Sequence, residues 1–204
     1  MSSRDKILQQ VKANQPEQRE LPDMPVIDTF ADPAARFVST LEAIGGKAYI
    51  VSGYPRIASI VHEEFADAKR IVNGIPELGP LAGKSEDPHT LQNVDLAILK
   101  AHFGVAENGA CWMTEDLMIE RALPFITQHL ALVVHKKDVV SHMQEAYERI
   151  AVIEEAHGVP GFATFIAGPS KTADIEQSLV LGAHGPRSMT LFLVDEELSD
   201  AGFY

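Results

Sequence analysis

The stretch DPAARFVSTLEAIGGKAYIVSGYPRIASIVHEEFADAKRIV, residues 32–72, holds the alternation from which the fold is read. Asp32 can cap a helix and Pro33 suits its first turn, where a missing N–H costs nothing. Phe37, Leu41 and Ile44 then share a face, and Gly45 can end the helix. KAYIV (Lys47–Val51) is a strand candidate. A second helix containing Ile57, Ile60 and Val61 follows, and then KRIV (Lys69–Val72). Helix, strand, helix, strand is the rhythm of an α/β layer.

Working outward, Ser2 to about Asn14 reads as a short helix with Ile7, Leu8 and Val11 on one side. QPEQRELPDMPVID (residues 15–28) holds Pro16, Pro22 and Pro25, too many for a helix, and reads as an extended arm. The division expected is an N-terminal helix and proline-rich arm over residues 1–30, then an α/β domain over 31–204. The arm is either a disordered leader or a means for the first helix to dock on its own or a neighbouring subunit, hence a route to homo-oligomers. Residues 73–91, with three glycines and three prolines, form a long loop.

VDLAIL (Val94–Leu99), ACWM (Ala110–Met113) and HLALVVH (His129–His135) read as strands. KKDVVSHMQEAYERIAVIEEAHG gives a long helix, because Val139, Met143, Ala146, Ile150 and Ile153 recur at helical spacing. FATFIAG, a helix-like run and MTLFLVD complete a strand–helix–strand unit, a right-handed crossover if the strands are parallel. The expected fold is α/β, a mainly parallel sheet flanked by helices on both faces, with an N-terminal helical arm.

Seventeen basic against 29 acidic residues give a net charge of −12, which argues against binding nucleic acid or an anionic membrane. A small anionic ligand stays open, since a few amides and one Lys make a local positive site. Cys111 is the sole cysteine, so the chain holds neither an intrachain disulfide nor a cysteine-ligated iron–sulfur cluster. No apolar run reaches membrane-spanning length and the start lacks a signal h-region; a cytoplasmic protein is the expectation.

GPSKTADIEQSLVLGAHGP, Gly168–Pro186, is better specified at its ends than in its middle. GPSKT falls where a strand gives way to the helix-like run, on the edge where ligands gather in open α/β sheets. Gly168 permits close approach, the Ser170 and Thr172 hydroxyls can cap the helix or bind an anion, and Lys171 adds a charge. Equally, this is a well-capped helix, with Asp174 and Glu176 complementing its N-terminus. It is not a Walker A loop. In GAHGP, Gly182 and Gly185 flank His184, which is a general acid/base, a ligand partner or a turn residue. A ten-residue helix of roughly 15 Å would keep His184 from Ser170 unless the chain folds back. In AHFGVAENGACW, Glu107, Asn108 and Gly109 form a polar turn whose carboxylate is catalytic or serves backbone donors. Neither HxH nor HExxH occurs, so no resident metal is expected, and no cofactor is named by any motif. A Gly-x-Ser-x-Gly elbow and a GxGxxG after a strand are also missing.

Three segments, VDLAILKAHFGVAENGACW, RALPFITQHLALV and above all GPSKTADIEQSLVLGAHGP, together resemble the LutC-type LUD-domain family, lactate utilization protein C. Glu107 and Gly109 match the family turn, with Asn108 where Thr is usual. Arg121, Pro124 and His129 match the middle segment. Gly168, Pro169, Ser170, Thr172, Asp174, Ile175 and Glu176 match the third motif, and Gly182, His184, Gly185 and Pro186 the fourth. The resemblance implies a fold similar to the sugar-phosphate isomerase and CoA-transferase-like group. It also implies a part in oxidising L-lactate to pyruvate beside iron–sulfur partners of the LutA and LutB type. Under it, Glu107 and His184 are the proton-handling candidates. Gly109, Arg121, Gly168, Ser170, Lys171, Thr172, Asp174 and Gly185 are the candidates for binding a small anion. Two other readings stay open: a stand-alone enzyme on a phosphorylated or CoA-linked metabolite, and a non-catalytic binding or sensor module.

Overall fold

A computed structural model of the chain describes all residues except 1, 21, 23–24, 84–86, 173–179 and 199–204. Helix α1 (Ser3–Ala13) has a capping box: Asp5 N–H donates to Ser2 Oγ and Ser2 N–H to the Asp5 carboxylate. It buries none of its residues. The arm ends by docking. Phe30 N–H donates to Ser141 Oγ at 3.1 Å, and the Phe30 ring lies 4.7 Å from that of His142.

Helix α2 (Pro33–Ala43) starts as expected, with the Asp32 carboxylate accepting from Ala35 N–H, and buries Ala34, Phe37 and Leu41. Gly45, at φ +88°, ends it in the left-handed conformation a side chain resists. Strand β1 (Lys47–Val51), helix α3 (Tyr54–Glu64), and strands β2 (Ile71–Asn73) and β3 (Leu96–Lys100) follow. Strands β4 (Phe103–Val105) and β5 (Ala110–Thr114), helix α4 (Leu123–Ile126), and strands β6 (His129–His135) and β7 (Val139–Val140) come next. Helix α5 (Met143–His157) precedes β8 (Ala163–Ala167), β9 (Lys171–Thr172), β10 (Val180–Leu181) and β11 (Ser188–Val194).

Five strands, in the order β1-β11-β6-β3-β2, form a wholly parallel sheet. Its inner strands β11, β6 and β3 are largely apolar and buried because both faces are covered, whereas the edge strands β1 and β2 leave Ile50 and Ile71 exposed. Leu130, Leu132 and Val134 of β6 pack toward α2 with Leu191, Leu193 and Leu99, while Ala131 and Val133 pack toward α3 with Ile57, Ile60 and Phe192. A second sheet, β7-β4-β5-β8, lies beside α2; its Cys111 and Met113 join the core, and its outer residues Phe103 and Val105 pack against Ala146 and Ile150 of α5. The layers therefore run α3, parallel sheet, α2 with the second sheet, α5. The expected α/β fold with a mainly parallel sheet and flanking helices is present.

Three details differ from the sequence reading. β8 is not half of a parallel crossover; it runs antiparallel to β5 from Ala110↔Ala167 to Thr114↔Ala163, and Trp112 and Phe165 lie directly opposite with ring centroids 4.6 Å apart. Aromatic cross-strand contact of this kind stabilises a sheet edge that periodicity cannot foresee. The long helix starts at Met143, not at Val139: the β-branched pair Val139 and Val140 joins β4 instead, opposite Gly104 and Val105. The helix-like run beyond GPSKT begins and ends in a hairpin, Lys171↔Leu181 and Thr172↔Val180. Its interior, with Asp174, Ile175 and Glu176, lies outside the described residues.

Candidate functional site

The hairpin brings together the two motifs that a helix would have kept apart. Ser170 N–H donates to the Pro186 carbonyl and Gly182 N–H donates to the Ser170 carbonyl, both at 2.9 Å. A Cβ on Gly185 would stand 2.9 Å from Ser170 Cβ, so GPSKT and GAHGP are in van der Waals contact and the glycine is required for it. The turn holding Glu107 reaches the same end of the ladder, because Ala110 pairs with Ala167 and places Gly109 beside Gly168. Both glycines have φ +70°, and both press on the last turn of α2: a Cβ would come within 3.1 Å of Leu41 backbone at Gly109 and 3.2 Å of Ile44 at Gly168.

This surface does not sit at the carboxyl edge of the parallel sheet, and residues 173–179, which follow Thr172, lie outside the described ones. Pro186 and Arg187 lead into β11, and Arg187 N–H donates to the carbonyl of Gln128, just ahead of β6, so the motifs gather at the amino edge. Lys171 is exposed, and its ammonium lies where a Cβ on Gly45 would approach it to 3.3 Å. Its charge thus faces the carbonyl end of α2, which favours a cation. Thr172 is half-buried in the hairpin, and His184 is exposed on the turn between β10 and β11.

Glu107 has a structural task. Its carboxylate accepts from Met143 N–H at 2.9 Å and lies 3.9 Å from His142 Nδ1. It therefore caps α5 from another segment, since the N-cap residue, His142, makes no side-chain cap bond. His142 instead contacts the Asp28 carbonyl of the arm through Nε2 at 2.8 Å. Arg121 stands apart from the other candidates. It pairs with Glu115 (Nε to Oε2, 2.6 Å) at the Gly161 end of β8, whereas Gly168 and Ser170 follow the opposite end. That arginine holds the Glu115 carboxyl below the usual carboxylate range.

At the carboxyl edge the structure assembles a second polar group that the sequence reading passed over. His102, two residues beyond β3, touches Thr114 Oγ1 with Nε2 at 2.6 Å, and Thr114 Oγ1 donates in turn to Asp116 Oδ1. Thr114 is buried and His102 half-buried. Burial pushes the His102 imidazole below its ordinary value, against the opposing pull of Asp116. His102 is a wall of two hollows. One of about 390 Å³ is shared with Lys100, Leu117, His135 and Lys137; the other, about 600 Å³, is shared with Thr114, Asp116 and His157. The signal in the sequence was a histidine two residues after a buried strand; Thr114 and Asp116 reach it only because β5 pairs with β4. Among the described residues no group of three His, Cys, Asp or Glu side chains is placed to hold a metal ion, and no helix is long and apolar enough to cross a membrane.

Comparison with known proteins places this architecture. Lactate utilization protein C of Bacillus pumilus is 29% identical over 145 residues, spanning 71% of this chain and 57% of that protein. The protein of the same name from Geobacillus thermodenitrificans is 29% identical over 174 residues, 82% of this chain and 71% of that protein. Lactate utilization protein C 1 of Bacillus mycoides is 30% identical over 118 residues, 57% of this chain and 50% of that protein. The chain thus spans between half and about seven-tenths of these relatives. A crystal structure of a DUF162 family protein from Deinococcus radiodurans shares the fold, with a TM-score of 0.62 at 18% identity over 81% of this chain and 98% of that one. The LUD domain profile matches residues 82–194, which include β3 to β11 and both motif segments, and the chain belongs to the LUD domain family.

Proposed function

We propose that this protein serves in lactate utilization, as a component that binds a small anion and acts with iron–sulfur proteins of the LutA and LutB type. The names of its relatives support the pathway. The observation supporting a shared functional surface is the contact of GPSKT with GAHGP, with the first residue of GPSKT, Gly168, beside the Glu107 turn. Ser170, Lys171 and Thr172 orient the anion in this reading, with Gly168 and Gly185 keeping the backbone open. His184, exposed on the adjoining turn, is its proton-handling candidate. Glu107 contributes by fixing the start of α5, and Arg121 by holding Glu115, rather than by touching the ligand. The lone cysteine is buried, so cluster chemistry falls to the partners. Helix α1, amphipathic and with nothing buried, supplies the contact for a second copy.

A strain lacking this chain and any paralogue tests the reading by growth on L-lactate as sole carbon source. Slow growth, restored by the intact gene, is the expected result, and recovery of cluster-bearing proteins with the tagged chain is its counterpart in vitro. Normal growth of the deletion strain overturns the proposal.

A further inference from the structure

The imidazole of His102 is oriented by a hydrogen-bond chain that leaves one nitrogen unclaimed. Thr114 has one hydroxyl hydrogen, and Asp116 Oδ1 accepts it. The 2.6 Å contact between Thr114 Oγ1 and His102 Nε2 must then use a hydrogen on Nε2. In the neutral ring that leaves the lone pair on Nδ1, and among the described residues no protein group hydrogen-bonds to it. Burial favours this neutral form near pH 7. A hydrogen bond at one ring nitrogen fixes the tautomer and leaves the other nitrogen for proton handling; here the Thr114 hydroxyl, itself held by Asp116, makes that bond.

The surroundings favour an anion. Lys100 and Lys137 line the smaller hollow with His102, and among the described residues neither is in an ion pair, whereas Asp138 on the same rim is engaged by Arg149. Lys136, the next cation, is held by Asp195 at 2.7 Å. Leu117 offers an apolar wall to the same space. The hollow opens at the carboxyl ends of β3 and β6, the edge at which parallel α/β sheets receive ligands.

We propose that this hollow binds a small 2-hydroxycarboxylate, whose hydroxyl donates to His102 Nδ1 and whose carboxylate faces Lys100 and Lys137. The inference rests on the lactate reading for the size of the ligand, and it gives the hydroxy acid a site of its own at the carboxyl edge, separate from the anion surface at Ser170. Asp116 and Thr114 are positioning residues: they hold the tautomer and do not touch the ligand.

The test is a titration of the full chain, labelled at histidine, with L-lactate, followed by NMR of the imidazole signals and by calorimetry. Saturable movement of the His102 ring signals is expected. Propanoate, which lacks the hydroxyl, should bind on the order of tenfold more weakly, the loss of one hydrogen bond to the half-buried imidazole. Lys100→Gln with Lys137→Gln should weaken both ligands alike, and Thr114→Val should weaken lactate alone while shifting the tautomer read from the ring nitrogens. The wild-type titration needs no variant to fold. Lactate binding that ignores His102→Gln but is lost in Ser170→Ala overturns the assignment. So does the lack of any saturable lactate signal. In either case a lactate growth defect in the deletion strain leaves the proposed function standing, so the two failures are told apart.

Discussion

Replacing Glu107 separates a structural carboxylate from a catalytic one. In the structure it accepts from Met143 N–H at 2.9 Å, at the first turn of a 15-residue helix whose own N-cap provides no side-chain bond. Glu107→Ala removes both the acceptor and a negative charge beside the positive end of α5. Loss of a cap costs typically about 1 kcal/mol, and loss of the charge–dipole attraction about 0.3–1 kcal/mol, the lower end for an exposed group. The Glu107 side chain is 49% exposed, so the lower end applies. The sum, roughly 1–1.5 kcal/mol, corresponds to a fall in Tm of roughly 2–6 °C for a domain of this size. Glu107→Gln keeps an acceptor oxygen and loses only the charge, so its fall should be a degree or so. Thermal unfolding followed by circular dichroism reads both, and plasmid complementation on L-lactate reads function. The capping argument expects melting to track the substitution while complementation by Glu107→Gln remains near wild type. Unchanged melting of Glu107→Ala together with failed complementation by Glu107→Gln would refute it, and would return the carboxylate to catalysis, where removing a general acid or base costs on the order of 10²–10⁴-fold.

Four further outcomes follow from the geometry. Gly168→Ala, forced to hold φ +70° with its Cβ 3.2 Å from Ile44, should lose roughly 1–3 kcal/mol; a melting temperature equal to wild type would show that this backbone relaxes freely. Burial pushes the Cys111 thiol up to about 12, so a disulfide reagent at pH 8 should leave native protein untouched and label it fully only in denaturant. Removing residues 1–14 should leave the melting temperature of dilute, monomeric protein unchanged, as α1 buries nothing within the chain, and should abolish self-association in sedimentation analysis; equal association of the intact and trimmed chains removes α1 as the contact. His102 has a folded pKa below its ordinary 6.5, so its contribution to stability is present above 6.5 and is lost as pH falls through the folded value. His102→Gln should flatten that acid limb in urea unfolding; an unaltered limb means the ring is not desolvated.

Much of the fold was legible in the chain. Asp32-Pro33 and Gly45 bracket α2 as their chemistry requires, and Phe37 and Leu41 share its buried face. Leu96–Leu99 of β3 are apolar throughout and buried because both faces of the strand are covered, and only Lys100 at its end is charged. Here local propensity and burial agree, so reading one residue at a time succeeds. Val139 and Val140 fit helical spacing as well as strand pairing, and only their neighbours Gly104 and Val105 settle which applies. The ends of the run between GPSKT and GAHGP failed for the same reason: Lys171 and Thr172 are strand because Leu181 and Val180 lie opposite.

What the chain by itself determined is an acidic α/β protein with one cysteine, two glycine-bearing motifs and a helix on a proline-rich arm. Those properties reside in composition and in contacts a few residues long. The tertiary structure alone decided that the motifs meet at the amino edge of the parallel sheet, that Glu107 caps a helix from 36 residues away, and that His102 faces Thr114 and Asp116. Each depends on strand pairing or docking between distant segments, where free energy comes from packing that neighbouring residues do not encode.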